Sequence, residues 1–299
     1  MEIQNTKNYP KVPTLMMMVY GQGGVGKTTF AASFPKPLLL DFENGAKYFG
    51  ERGIEVDVAV FKTWPTLDEK RQLRDSVKNY ETIIVDPIGE AMDKLMESDT
   101  ISGNKNRQAN GDLTMAGWGS VKKEMRNFIK FLRDTGKNVV LVAHVDERTD
   151  DEQIVRRPMI ATKLSQELVN MVDVVGYMQI IQHGGEEKRV IAMDAADAKY
   201  ISKDRTGKFG KYAKPEYAYI KKMLNTATAA PVADAQPEPA PEADTEEKVE
   251  DKPVPKLTKK QQLIAEAQER ELDAEHDIEQ MTMAQLEDII EQYDADNSK

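Results

Sequence analysis

Two rhythms of apolar and polar positions run through the first 224 residues. Short apolar runs of strand length alternate with stretches in which apolar residues recur at helical spacing. The series opens with a strand over 14–20, a Gly-rich loop, a helix from Lys27 to Phe34 stopped by Pro35, and a strand over 37–42. That is the βαβ order of a parallel sheet. Further units follow: an alternating strand at 54–61, a helix over 66–80 capped by Thr66 and Glu69, the strand "TIIVD", and helices over 88–97 and 118–135. Gly136 ends the last of these, "NVVLVAH" reads as the next strand, and "GYMQIIQHGGEEKRVIAMD" reads as a hairpin turning at Gly184-Gly185. The pattern predicts an α/β core with a mainly parallel central sheet flanked by helices.

The rhythm stops near residue 225. Residues 226–256 hold six of the 14 prolines and many alanines and acids, with no aromatic residue. Such a stretch buries too little apolar surface to fold, so 225–256 reads as a disordered Pro/Ala/Glu linker. Beyond it, 257–299 reads as a small acidic helical module with two capping-box signatures, Thr258 with Gln261 and Thr282 with Gln285. Leu263, Ile264 and Ala267 on one helix and Leu286, Ile289 and Ile290 on the other offer the apolar faces that a helix pair needs. Charge divides at the same place. The chain of 299 residues carries a net −10, yet residues 225–299 hold 20 acidic and 7 basic side chains, which leaves the 1–224 core slightly basic. A basic core keeps nucleic acid among its possible partners, whereas the acidic module suits a protein partner.

No apolar run approaches the length of a membrane span, and "MEIQNTKNYPK" lacks the order of a signal peptide, so neither a membrane nor secretion is expected. The chain has no cysteine, which excludes disulfides and thiol chemistry and fits a cytoplasmic setting.

The loop after the first strand, "GQGGVGKTT", satisfies G-x-x-x-x-G-K-[ST] between a strand and a helix, where a phosphate-binding loop must lie. Gly21, Gln22, Gly23, Gly24, Val25, Gly26, Lys27, Thr28 and Thr29 would turn backbone N–H groups toward phosphate oxygens. Lys27 would reach the β- and γ-phosphates and the Thr28 hydroxyl would join Mg²⁺. The ParA/MinD-like ATPases carry a further lysine where this chain has Gln22, so the loop departs from theirs. "ETIIVDP" ends an apolar strand on Asp86, as a Walker B strand does, and Asp86 would hold Mg²⁺ through water. ATP and Mg²⁺ are therefore the expected ligands.

Hydrolysis also needs a carboxylate to activate water. Asp86 is followed by Pro87 and Ile88, so the base must come from another strand end. In a parallel sheet, ligands gather outside the carboxyl ends of the strands, where "PLLLDFENG" offers Asp41 and Glu43. Asp41-Phe42-Glu43, with the phosphate loop before it and Asp86 after it, resembles the RecA-type recombinase core. The order of "FPKPLLLDFENG", "WGSV", "NVVLVAHVDE", "VDVVGYM" and "YISKDRTGKF" is similar to the phage-encoded, core-only RecA-like ATPases of single-strand annealing and recombination. The resemblance covers about residues 12–215. It implies a RecA-like P-loop NTPase core with Glu43 as catalytic base, and a host-cell cytoplasmic setting.

RecA has a glutamine where this chain has His144, which is expected to sense the γ-phosphate or to satisfy a strand-end hydrogen bond. RecA-like proteins grip single-stranded DNA with two mobile loops. The corresponding stretches here hold Lys105 and Arg107 in the first and Arg156, Arg157 and Lys163 in the second, which also carries several acids. Lys203 and Arg205 lie in "YISKDRTGKFGKY" and are expected to act as a finger toward a neighbouring subunit's γ-phosphate in a homo-oligomer, to touch DNA, or to stand as an exposed basic strand end. The expected function is a DNA-stimulated Mg-ATPase that binds single-stranded DNA and promotes phage recombination or annealing. A hexameric helicase or helicase loader shares this nucleotide chemistry, and a nucleotide-gated interaction protein acting through the acidic tail needs no DNA.

Overall fold

An inner strand of a parallel sheet is covered on both faces and can be apolar throughout. The first strand, β1 (Met16–Gly21), is buried at all six positions. This computed structural model describes residues 14–103, 105–150 and 153–226, together with Asn5, Thr282, Gln285, Ile289 and Ile290. After β1 come α1 (Lys27–Ala32), β2 (Pro37–Asp41), β3 (Asp57–Val60), α2 (Leu67–Ser76), β4 (Thr82–Asp86), α3 (Ile88–Glu97) and α4 (Met115–Asp134). Next are β5 (Asn138–Asp150), β6 (Gln153–Pro158), α5 (Thr162–Met171), β7 (Val174–His183), β8 (Glu186–Ala192), β9 (Lys203–Asp204), β10 (Tyr212–Ala213) and α6 (Tyr217–Asn225).

The sheet order is β10-β8-β7-β1-β5-β4-β2-β3, with β6 on β5 and β9 on β7. From β7 to β3 the pairs are parallel, and β6, β8, β9 and β10 join antiparallel. One strand, β5, separates β1 from β4. Alternation along each strand divides the core into two layers. Met18, Tyr20, Leu40 and Val85 pack with Leu95, Phe128 and Leu168 on one face. Met17, Val19, Leu39 and Ile84 pack with Phe30, Phe34 and Ile220 on the other.

The expected α/β architecture is the one observed, with differences at the ends of elements. Thr66 and Glu69 form the capping box of α2, which gives way after Ser76 to a 3₁₀ turn over Val77–Asn79. Helix α4 begins at Met115 rather than 118, because the Thr114 hydroxyl caps it by accepting from the Gly117 N–H at 3.0 Å. The stretch expected to be the second mobile loop is instead a β-hairpin. Asp146 lies opposite Arg157 and Glu147 opposite Arg156, and each opposed pair is an ion pair at 3.0 Å. The mixed charges that looked like loop composition are complementary cross-strand partners. The first expected loop holds a 3₁₀ turn over Asp99–Ile101 and a bridge from Arg107 to Leu113.

Among the described residues no helix is long and apolar enough to cross a membrane. The chain divides into compact units Met1–Val232 and Ala233–Lys299. In the second, Thr282 and Gln285 form their capping box, with the Thr282 N–H donating to Gln285 Oε1 at 2.9 Å. The expected linker from 227 on, the helix opening at Thr258 and Gln261, and the Lys163 side chain lie outside the described residues.

Candidate functional site

Residues 21–29 form a turn that leads from β1 into α1. Gly26, with φ 104°, takes a left-handed conformation that side chains disfavour. This curls the loop around the start of α1. Lys27 is buried there, and its Nζ donates to the carbonyls of Gly21 and Gln22, both at 2.9 Å. Burial lowers its pKa, and the carboxylates of Asp86 and Glu43 act in the opposite direction.

Asp86 ends β4 beside the loop, bonded to the Thr28 side chain. Burial pushes its pKa up to about 6; the Thr28 bond works against this, Glu43 adds to it, and Lys27 opposes it. A carboxylate and a hydroxyl, both hard oxygen donors, are thus held together where a cation would relieve the strain of a buried charge. This donor set fits Mg²⁺.

At the end of β2, Asp41 is buried and its carboxylate accepts from the N–H groups of Glu43 at 3.1 Å, Gly45 at 3.2 Å and Ala46 at 3.0 Å. These three bonds fix the turn through Asn44, whose φ is 59°, and hold Glu43 at the strand mouth. The Phe42 N–H also donates to the Asp86 carbonyl at 2.9 Å, aligning the ends of β2 and β4. His144, level with Gly21 on the other side of the site, brings Nε2 within 3.3 Å of Glu43 Oε2. A cavity of ≈ 200 Å³ is lined by Lys27, Thr28, Glu43, Asp86 and His144 among others. A carboxylate beside an imidazole, facing a phosphate loop and a buried aspartate, can take a proton from water next to a bound phosphate.

Other expected residues are placed elsewhere. Lys203 sits on β9, level with Met18 of β1 through Val175, about three residues or ~10 Å of strand rise before the phosphate loop. Its Nζ donates to the carbonyls of Val169, Asn170 and Val172, while Arg205 donates to Asn170 and lies 3.7 Å from Asp173. Both cations close the end of α5, where orphan carbonyls need donors. Arg107 donates to the carbonyls of Gly111 and Met96, so of the expected DNA contacts in the first stretch only Lys105 points an uncommitted charge outward. Two arginines that the sequence did not single out do reach the phosphate loop. Arg52 donates to Thr29 Oγ1 at 3.3 Å, and the Arg189 side chain lies over Gly26.

A phosphate loop after β1, an aspartate ending β4 and a strand between them define a P-loop ATPase core of the RecA-like α/β class. The family profile described as AAA domain matches residues 14–206, and the chain belongs to that family. Family membership implies nucleotide binding. No curated protein matches the sequence. Two solved structures are similar in part. The KaiC-like protein PH0186 from the hyperthermophilic archaeon Pyrococcus horikoshii OT3 is 15% identical with a TM-score of 0.36, covering 60% of this chain and 77% of its own. The flagellar accessory protein FlaH from Methanocaldococcus jannaschii is 9% identical with a TM-score of 0.36, covering 67% and 83%.

Proposed function

We propose that this chain is a Mg²⁺-dependent ATPase that binds single-stranded DNA and promotes annealing or strand exchange in recombination of the phage-encoded type it resembles, acting in the cytoplasm. The observation that carries the reading is the Glu43–His144 pair facing the phosphate loop, with a hairpin hinged on the same histidine. Lys27 would exchange its loop carbonyls for the β- and γ-phosphates, and Thr28 with Asp86 would hold Mg²⁺, which would supply positive charge to those phosphates. Glu43 accepts the proton of the attacking water, and His144 orients Glu43 and meets the γ-phosphate.

The DNA term rests on the hairpin that adjoins this pair and on an exposed turn at the start of α4. Strand β5 continues from His144 into the hairpin, and the chain returns where the Met159 N–H donates to the His144 carbonyl at 2.8 Å. A change at His144 on nucleotide binding is thereby passed to the hairpin base. Near the start of α4, Met115 is 87% and Trp118 38% exposed, and the Thr114 hydroxyl ties this turn to Lys105 through its carbonyl at 2.7 Å. Exposed aromatic and basic groups together suit stacked bases and a phosphate backbone. Homo-oligomers and a protein partner for the acidic tail complete the reading.

Trp118 offers the test, because Trp64, the other of two tryptophans, is buried. Single-stranded DNA is expected to quench intrinsic fluorescence, with log affinity falling linearly in log salt, and to stimulate ATP turnover. Trp118→Ala is expected to weaken binding by ~1–3 kcal/mol. Turnover indifferent to DNA, with unaltered fluorescence, would leave the nucleotide-gated interaction protein; duplex unwinding by the chain alone would favour a helicase.

A further inference from the structure

The pairing of the arginines separates two of them from the rest. Eleven arginines fall among the described residues. Seven lie within 4.0 Å of carboxylates, Arg107 donates to backbone carbonyls, and Arg74 stands over the Phe131 ring. Arg52 and Arg189 have no acidic, carbonyl or aromatic partner among the described residues, and both stand at the phosphate loop. They come from opposite sides of β1. Arg52 is carried by the 3₁₀ turn Gly50–Arg52 between β2 and β3, and Arg189 by β8, beyond β7. The single hydrogen bond of Arg52 goes to Thr29 Oγ1, one residue further into α1 than Thr28. The Arg189 stem is within 3.7 Å of where a Cβ on Gly26 would sit, with Nε at 3.8 Å.

Guanidinium groups left unpaired at a loop built to face phosphate oxygens offer counter-charge and bidentate hydrogen bonds to a polyphosphate. Neither arginine touches Glu43, Asp86 or His144, the groups at the end where the γ-phosphate reacts. From this placement we propose that Arg52 and Arg189 clamp the non-transferred phosphates of the bound nucleotide from both sides, within one subunit. The inference rests on the nucleotide reading above and adds the residues that hold the α- and β-phosphates. A clamp of this kind strengthens ground state and transition state alike, so it acts on affinity rather than on turnover at saturation.

Titration calorimetry of the full chain with Mg-ATP, Mg-ADP and inorganic pyrophosphate tests it, comparing wild type with Arg52→Ala, Arg189→Ala and the corresponding lysine variants. Both side chains are exposed, and thermal melts of the variants confirm that they fold. Each alanine variant is expected to lose roughly tenfold in affinity for ATP and ADP alike and to weaken pyrophosphate, with lysine recovering part of the loss and saturated turnover staying within about twofold. Nucleotide affinity unchanged in the alanine variants overturns the clamp and keeps the ATP reading. Loss of turnover with affinity kept also overturns it, since that places the guanidiniums at the transferring phosphate. A wild type that binds pyrophosphate through these arginines but binds no adenine nucleotide keeps the clamp and overturns the ATP reading.

Discussion

Asp86 is the residue at which the fold gives up stability for the site. Its carboxyl is buried and its pKa raised from 3.8 to about 6. With the folded value above the unfolded one, Asp86 contributes no penalty at low pH, where it is protonated in both states, and its penalty grows as pH rises through the folded pKa. In nucleotide-free protein with a chelator present, Asp86→Asn is therefore expected to stabilise by on the order of 2–3 kcal/mol at pH 8, with the gain shrinking toward zero near pH 4. Melting curves across this range check it. The same variant is expected to lose Mg²⁺-dependent nucleotide binding. Glu43, Asp86 and His144 were legible in the sequence because each closes an apolar run. Asp86 ends β4, Glu43 follows the end of β2 by two residues, and His144 follows the apolar half of β5, which continues beyond it into the hairpin. Such run ends in parallel strands meet at one edge. Asp41 was legible as a structural carboxylate beside Glu43, while its three bonds to backbone N–H groups were not, because they depend on the turn it fixes. Arg52 and Arg189 left no such signal, since their approach to Thr29 and Gly26 is made by a short turn and a distant hairpin.

The strands and helices of the core were readable because their signals are local: β-branched runs, a capping box at Thr66, glycine at 136. The β5–β6 hairpin was not, because its ordering depends on opposed charges that only the register brings together. The segment between α3 and α4 shows a similar dependence. Gly117 lies in α4 with the Asn106 carbonyl so near that an added Cβ would sit 2.2 Å from the oxygen, whereas nothing lies within 4 Å of such an atom at Gly119. Gly117→Ala is expected to displace the 105–113 segment and destabilise by ~1–3 kcal/mol. Gly119→Ala, which removes a helical glycine from open space, is expected to stabilise by ~0.5–1 kcal/mol. Thermal melts of the two variants, with hydrogen exchange at Arg107 and Leu113, separate packing from helix propensity; equal shifts would contradict the packing argument.

Within the core, His144 joins the proposed nucleotide chemistry to the β5–β6 hairpin. The imidazole faces Glu43, and the backbone of the same residue receives the returning end of the hairpin. Charge divides the chain in the same sense as the proposal, into a slightly basic core of 224 residues and an acidic remainder. All of this depends on the chain hydrolysing ATP with a base that does not follow the Walker B aspartate. The most direct measurement is phosphate release by wild type, Lys27→Ala and Glu43→Gln, with and without single-stranded DNA, alongside nucleotide affinity. Glu43→Gln is predicted to bind Mg-ATP as wild type does while turnover falls by about 10²- to 10⁴-fold, and Lys27→Ala to lose binding itself. Turnover by Glu43→Gln close to that of wild type would contradict the assignment of Glu43, and with it the account of how this site works.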